Sequence, residues 1–223
     1  MKTFVKTLKI LTIISAFGGV LLSLVSAPDD NFSHPWKRLL YFTAQSNIWI
    51  GTVFLLLLVL PFAKMKKGVI WQKRLYLFKF IFTVSITMTG IVFCGVIAPF
   101  SPSNYKPWVF CNWLTHVVTP VLAVADFFLD NYAVKVKKKH LFACLLPPLF
   151  YFSITTLLGY FNFDFGRGEP YPYFFLDYRS PVGVFGFGRQ SPFLGPFYWW
   201  TAFSLIMLFL AYLYAKGKSA KKT

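Results

Sequence analysis

Two polar stripes interrupt otherwise apolar runs of this chain. The first is FTAQSN, carrying Thr43, Gln45, Ser46 and Asn47. Residues three and four apart share a helix face, so Thr43, Ser46 and Asn47 point the same way. The second is CNWLTHVVTP, where Asn112, His116, Thr119 and Pro120 recur at i, i+4, i+7 and i+8, again on one face. A threonine hydroxyl becomes nucleophilic when a base takes its proton. Neutral histidine is the usual base, and apolar surroundings favour its neutral form. An amide one turn from the hydroxyl can donate to the oxyanion formed when an ester carbonyl is attacked, which nominates Asn47. Asn112, one turn before His116, is placed to orient the ring. Gln45, Ser46 and Thr119 are candidates for holding a substrate. No HExxH or comparable ligand cluster is present, so the expected chemistry uses neither metal nor cofactor. The plainer role of such residues is to hydrogen-bond one membrane helix to the next.

The elements that must position these groups follow from composition. Of 223 residues, 57% are hydrophobic, 21% aromatic and only 13% charged, a charged share about half that of a soluble domain. Six apolar stretches reach the roughly 20 residues that match a bilayer's hydrocarbon core. They lie near 7–26, 39–62, 75–99, 109–130, 141–161 and 196–215. In lipid the backbone must satisfy its own hydrogen bonds, so each is expected to be a helix. The predicted fold is an all-α integral membrane protein, one domain over 1–223 with six transmembrane helices. The N-terminal run is too long for the apolar part of a secretory signal, so Val25-Ser26-Ala27 is not read as a cleavage site.

The net charge of +16 could suggest a nucleic-acid partner, but the basic residues sit in short runs between the spans. Lys2, Lys6 and Lys9 precede the first span, and Lys64, Lys66, Lys67, Lys73 and Arg74 follow the second. Lys135, Lys137, Lys138 and Lys139 follow the fourth; Lys216, Lys218, Lys221 and Lys222 follow the sixth. The other connections hold Asp29, Asp30, Asp164, Glu169 and Asp177. The positive-inside rule then puts both termini and the Lys-rich loops in the cytoplasm. The expected setting is a bacterial plasma membrane, with membrane lipids as partners; the sequence specifies no oligomeric state.

Depth makes the two stripes compatible. Both spans start from the outer side, with Thr43 about 6 Å and His116 about 10 Å inside at 1.5 Å per residue. The two could meet if spans two and four are neighbours. Asp126 lies too far along its helix to orient His116 and is read as a partner for Lys79 or as an ion site. His34 and His140 are read as solvated or interfacial, and Cys94, Cys111 and Cys144 as packing residues. Pro147-Pro148 is expected to kink span five. The aromatic-rich loop over 162–195 is expected to lie on the bundle mouth or among the headgroups.

FTAQSN, Asn112-x-x-x-His116 with Thr119-Pro120, and Tyr171-Pro172-Tyr173-Phe174-Phe175-Leu176-Asp177 together resemble one family. It is the androgen-induced-gene and androgen-dependent TFPI-regulating protein family, with its bacterial six-span relatives. The resemblance covers nearly the whole chain in span number and motif order. It implies a membrane-embedded threonine hydrolase of lipid esters, such as fatty acid esters of hydroxy fatty acids. Carried over by motif, Thr43 is the nucleophile and His116 the base, and Tyr171 and Asp177 join the substrate-binding candidates. The Trp-Lys pair before span two is present as Trp36-Lys37. In the animal members the threonine stands four residues after that Trp, where this chain has Leu40. The alternative from another class is small-molecule or ion binding and transport, in which Asp126, Lys79 and the outer loop would carry the function.

Overall fold

The computed structural model describes residues 2–25, 32–60, 64–100, 105–131, 136–189 and 193–220. Asp29, Asp30, Lys135, Lys221, Lys222 and the Ser26-Ala27 site lie outside them. Among the described residues there is no strand beyond an isolated bridge, Phe187 to Leu194. Six helices are long and apolar enough to cross a membrane: α1 (Thr3–Val25), α2 (Phe42–Val59), α3 (Gly68–Phe100), α4 (Phe110–Leu129), α5 (Lys138–Tyr160) and α6 (Pro196–Ser219). α3 begins several residues before its apolar stretch. Nothing between Gly68 and Leu75 breaks a helix, so the coil continues into the polar zone, where the Arg74 guanidinium lies over Trp71.

Three of the helices are interrupted, each at a proline. α3 passes through a π turn at Phe93–Ile97, and α4 through one at Leu114–Val118. In both, the residue before a proline donates five back: Ala98 to the Phe93 carbonyl ahead of Pro99, and Thr119 to the Leu114 carbonyl ahead of Pro120. A proline has no N–H for the carbonyl four residues back, and its ring crowds that carbonyl. Widening the preceding turn relieves the crowding without breaking the helix. α5 kinks: Cys144 and Leu145 donate three back, to the Leu141 and Phe142 carbonyls, and Pro147 and Pro148 sit in the first turn of the segment that follows, Leu146–Tyr160. A first turn lacks acceptors for its N–H groups anyway, so proline costs little there.

α1, α2, α3 and α4 form a ring in which each packs on the next and α4 closes on α1. Ala16, Ile50, Val53, Phe54, Ile86 and Ala123 fill its centre, all fully or nearly buried. α6 leans on α3, and the first segment of α5 touches both α3 and α6. A second core joins Phe80, Val84 and Met88 of α3 to Tyr151 of α5 and to Phe203 and Met207 of α6.

At the Lys-rich end, buried charges tie the ring together. Lys9 of α1 reaches Asp126 Oδ1 at 2.7 Å and Asp130 Oδ2 at 2.8 Å. Lys79 of α3 meets Asp126 Oδ2 and lies 2.8 Å from Asp130 Oδ2. The Tyr76 hydroxyl donates to Asp130 at 2.9 Å. Lys218 of α6 donates to the Phe127 and Asp130 carbonyls, a cation at the negative end of α4. Two lysines and two aspartates balance, and Asp126 has both oxygens on lysines, which leaves it in a helix-pairing role with Lys79. Removing one partner strands a buried charge. Asp126→Ala is therefore expected to cost about 3–5 kcal/mol, read as a lower melting temperature of the detergent-purified protein. An unchanged melting temperature would show that the cluster does not hold the ring.

Candidate functional site

The ring brings α2 and the π turn of α4 into contact, and this is where the two polar stripes meet. Thr43 Oγ1 lies 3.1 Å from His116 Nε2. On the far side of the ring, Nδ1 lies 3.0 Å from the Asn112 carbonyl and 3.0 Å from Thr115 Oγ1. A carbonyl only accepts, so Nδ1 carries the hydrogen. Nε2 then presents its lone pair to the Thr43 hydroxyl, the tautomer a general base requires. Thr115 Oγ1 spends its own hydrogen on the Cys111 carbonyl at 3.0 Å and is free to share the Nδ1 donor. Phe93, in the π turn of α3, stacks on the imidazole at 3.8 Å. His116 is buried, whereas Thr43 remains partly accessible.

Two glycines allow the helices to approach this closely. A Cβ on Gly90 of α3 would lie 2.7 Å from the His116 carbonyl oxygen, and one on Gly19 of α1 would lie 2.7 Å from Thr115 Cγ2. Both are below any ordinary contact, so glycine lets α1 and α3 clamp the π turn that carries the histidine.

The other stripe residues fasten helices. Asn47 donates through Nδ2 to the Thr43 carbonyl at 2.8 Å and to the Thr115 carbonyl at 3.1 Å. Both its donors are thus used, and its place as an oxyanion donor is taken by a bridge between α2 and α4. Ser46 donates to the Thr43 carbonyl at 3.1 Å and pairs with Thr89 of α3 at 2.9 Å. Thr119 pairs with Ser15 of α1 at 2.8 Å. Gln45 donates to the Leu39 carbonyl at 3.5 Å. Asn112 orients the ring through its backbone; its side chain donates to Tyr105 Oη and the Pro107 carbonyl. Asp177 accepts from the Arg179 amide at 3.0 Å. Burial, with the nearby charges of Asp177 and Glu169, pushes the Tyr171 phenol above its ordinary range. Leu40 closes a short 3-10 turn, Pro35–Leu40, ahead of α2.

Thr43 opens onto an apolar cavity. Its walls are Phe42 of α2; Met88, Val92 and Ile97 of α3; Pro148, Tyr151 and Phe152 of α5; and Phe203 and Met207 of α6, with Tyr173 beside Thr43. The Thr43 amide, in the first turn of α2, donates to Tyr173 Oη at 3.4 Å. Neither tyrosine was singled out from sequence. Tyr173 stands inside the Tyr-Pro motif, whereas Tyr151 sits in an apolar run that carries no signal of what it faces.

Tyr173 reaches the site because the loop between α5 and α6 folds over the bundle mouth. Phe175 and Leu176 are buried in the second core, and Phe175 packs edge-on to Phe203 at 5.2 Å. Asp164 pins the loop. It accepts from Lys37 at 2.7 Å, Ser33 at 3.0 Å, and the Gly166 and Gly168 amides at 2.7 and 2.8 Å. Of the remaining residues, His34 is exposed, His140 is half-buried and accepts from the Lys137 amide at 3.0 Å, Cys111 and Cys144 are buried, and Cys94 is exposed.

No protein-family model matches this chain, and neither a curated protein nor a solved structure matches it.

Two outcomes are expected. Asn47→Ala leaves two buried carbonyls without their donor and should cost about 1–3 kcal/mol by thermal unfolding, with greater motion of Thr43 against His116. A variant as stable as wild type would remove Asn47 from the frame. The Lys37 ammonium and the two glycine amides hold the Asp164 carboxyl well below the usual carboxylate range. Stability from a depressed carboxyl is complete above the unfolded value of about 3.9 and is lost as pH falls through the folded one. Amide exchange at Gly166 and Gly168, corrected for intrinsic rate, should stay slow from pH 7 down to about 4 and quicken only below that. Loosening already at pH 5 would contradict the anchor.

Proposed function

We propose that this chain is an intramembrane hydrolase of lipid esters, such as fatty acid esters of hydroxy fatty acids, with Thr43 as nucleophile and His116 as base. The observation that carries the reading is the 3.1 Å approach of Thr43 Oγ1 to a histidine nitrogen whose opposite nitrogen is held by the Asn112 carbonyl. A bridge between helices needs no such tautomer control; an activated hydroxyl does. The apolar cavity beside Thr43 supports an acyl substrate, and the family resemblance of the polar motifs points the same way.

In this reading Thr43 Oγ attacks the ester carbonyl while Nε2 takes its proton. The tetrahedral adduct collapses, the C–O bond to the alcohol breaks, and His116 returns the proton to the departing oxygen. Water, deprotonated by the same Nε2, then attacks the acyl-threonine. The fatty acid leaves and the Thr43 hydroxyl is restored. The hydrogen bond from Nδ1 to the Asn112 carbonyl steadies the imidazolium in both half-reactions, since a ring bearing two protons still donates there.

The same reading places both termini on the cytoplasmic side of a bacterial plasma membrane, so that Thr43 works in the outer leaflet. Its support is the gathering of the basic connections at one end of the helices, including the buried Lys9, Lys79 and Lys218.

Covalent labelling by a fluorophosphonate probe tests the proposal. Folded wild type should label, and Thr43→Ala and His116→Ala, with melting temperatures close to wild type, should each lose at least about 100-fold in labelling rate, the scale of general-base assistance. Labelling that survives Thr43→Ala, or its absence from folded wild type, would refute the assignment.

A further inference from the structure

The cavity beside Thr43 contains a polar group that the hydrolytic steps leave unused. Tyr151 is 4% exposed, it lines the cavity, and its hydroxyl stands near the Phe42 backbone and the Tyr173 hydroxyl without a well-formed hydrogen bond to any described residue. A buried hydroxyl without a partner is costly, and such groups in folded proteins commonly await a ligand or water. Its surroundings say which ligand. The Tyr151 and Tyr173 rings lie 6.4 Å apart, and Tyr173 Oη accepts from the first-turn amide of Thr43. Two phenols, both donors at neutral pH, therefore converge where α2 presents the positive end of its dipole. Beyond them the walls are aliphatic and aromatic, down to Met207, roughly 16 Å along α6 from its start at Pro196. The wall holding Pro148, Tyr151 and Phe152 follows the tightened turn at Cys144 and Leu145 in α5.

We propose that Tyr151 and Tyr173 bind the carbonyl or carboxyl oxygen of a long-chain acyl ligand, whose chain lies in the cavity between α3, α5 and α6. The site thus has a polar head at the N-terminus of α2 and an apolar tail toward mid-membrane. This rests on the hydrolase reading only for the part that Thr43 plays. An ester places its carbonyl oxygen on the two phenols, within reach of Thr43 Oγ, and the product acid leaves a carboxyl oxygen on the same donors. Tyr151 is then a substrate-binding residue that contributes more as negative charge grows on that oxygen.

The test uses the full-length protein in detergent, with palmitate and butyrate as binding probes and p-nitrophenyl palmitate as ester. Tyr151→Phe removes one oxygen that no well-formed hydrogen bond holds, so its melting temperature should stay close to that of wild type. Wild type should bind palmitate and not butyrate. Tyr151→Phe should bind palmitate about 5- to 30-fold more weakly, with kcat/KM for the ester falling at least as far. Equal palmitate affinity in Tyr151→Phe and wild type would overturn the proposal, as would failure of folded wild type to bind palmitate. Palmitate binding that depends on Tyr151, with no probe labelling and no ester cleavage, would uphold the acyl site and refute the hydrolase reading. Ester cleavage undiminished in Tyr151→Phe would do the reverse.

Discussion

Pro120 has no N–H to offer the His116 carbonyl, and the architecture of the site grows from that lack. An unbroken α-helix would press the proline ring on that carbonyl. α4 widens instead, Thr119 bonding back to Leu114. The wider turn sets His116 with one nitrogen on the Asn112 carbonyl of its own helix and the other toward α2. π turns of this kind recur at functional sites because they re-aim a side chain without ending the helix. The same device in α3, ahead of Pro99, delivers Phe93 to the face of the imidazole. Two prolines thus shape the histidine's position from both sides, and Gly90 and Gly19 let the neighbouring helices close on the result.

Such a site needs a frame that does not slide, and hydrophobicity cannot supply one in lipid, where tails are as apolar as leucine. The frame here is polar. At the Lys-rich end, Lys9, Lys79, Asp126 and Asp130 neutralise one another across α1, α3 and α4. Farther along the helices, Ser15–Thr119, Ser46–Thr89 and the Asn47 bridge stitch α1 to α4, α2 to α3 and α2 to α4. Buried ion pairs add little net stability over well-packed apolar residues, but they specify which helix faces which. α6 is tied to the ring at the same Lys-rich end, by Lys218 on the Phe127 and Asp130 carbonyls and by Tyr214 on Thr87 at 2.9 Å. The cavity lies where α5 and α6 face α3 and the start of α2, with Tyr151 packed edge-on to Phe42 at 5.3 Å.

Helical spacing was enough to place Thr43 and His116 on inward faces, and depth made their meeting geometrically possible. Their adjacency was not legible, because it depends on Gly19, Gly90 and two proline-driven π turns that act across helices. Asn47 illustrates the limit. Its distance from Thr43 suits an oxyanion donor, but i, i+4 spacing equally lets an amide reach back to the carbonyl of its own helix, and burial selected that bond. The pairing of Asp126 with Lys79 was readable from charge alone, whereas Lys9 and Asp130 joined it through a packing order that no local pattern encodes. Tyr173 and Tyr151 escaped notice for a related reason. A tyrosine in an aromatic-rich loop or an apolar helix looks like any interfacial ring until the fold shows what its hydroxyl faces.

The distribution of polarity around Thr43 carries the last step. One side of the hydroxyl is a buried, fully partnered histidine; the other is an apolar space with two phenols at its head. Proton transfer is best served by the first side, where water is excluded and the Nδ1 bond fixes the tautomer. A chain-bearing ester is best served by the second, which leads toward mid-membrane. Water for the second half-reaction of the proposed cycle then has its shortest path from the bundle mouth, where the loop carrying Tyr173 is held by Asp164 on Lys37 and Ser33. The loop that completes the polar head of the cavity is therefore also the cover through which water must come. It is held twice, by the Asp164–Lys37 ion pair and by Phe175 and Leu176 packed in the second core, so the polar head is fixed to the connection before α2 and to the bundle alike.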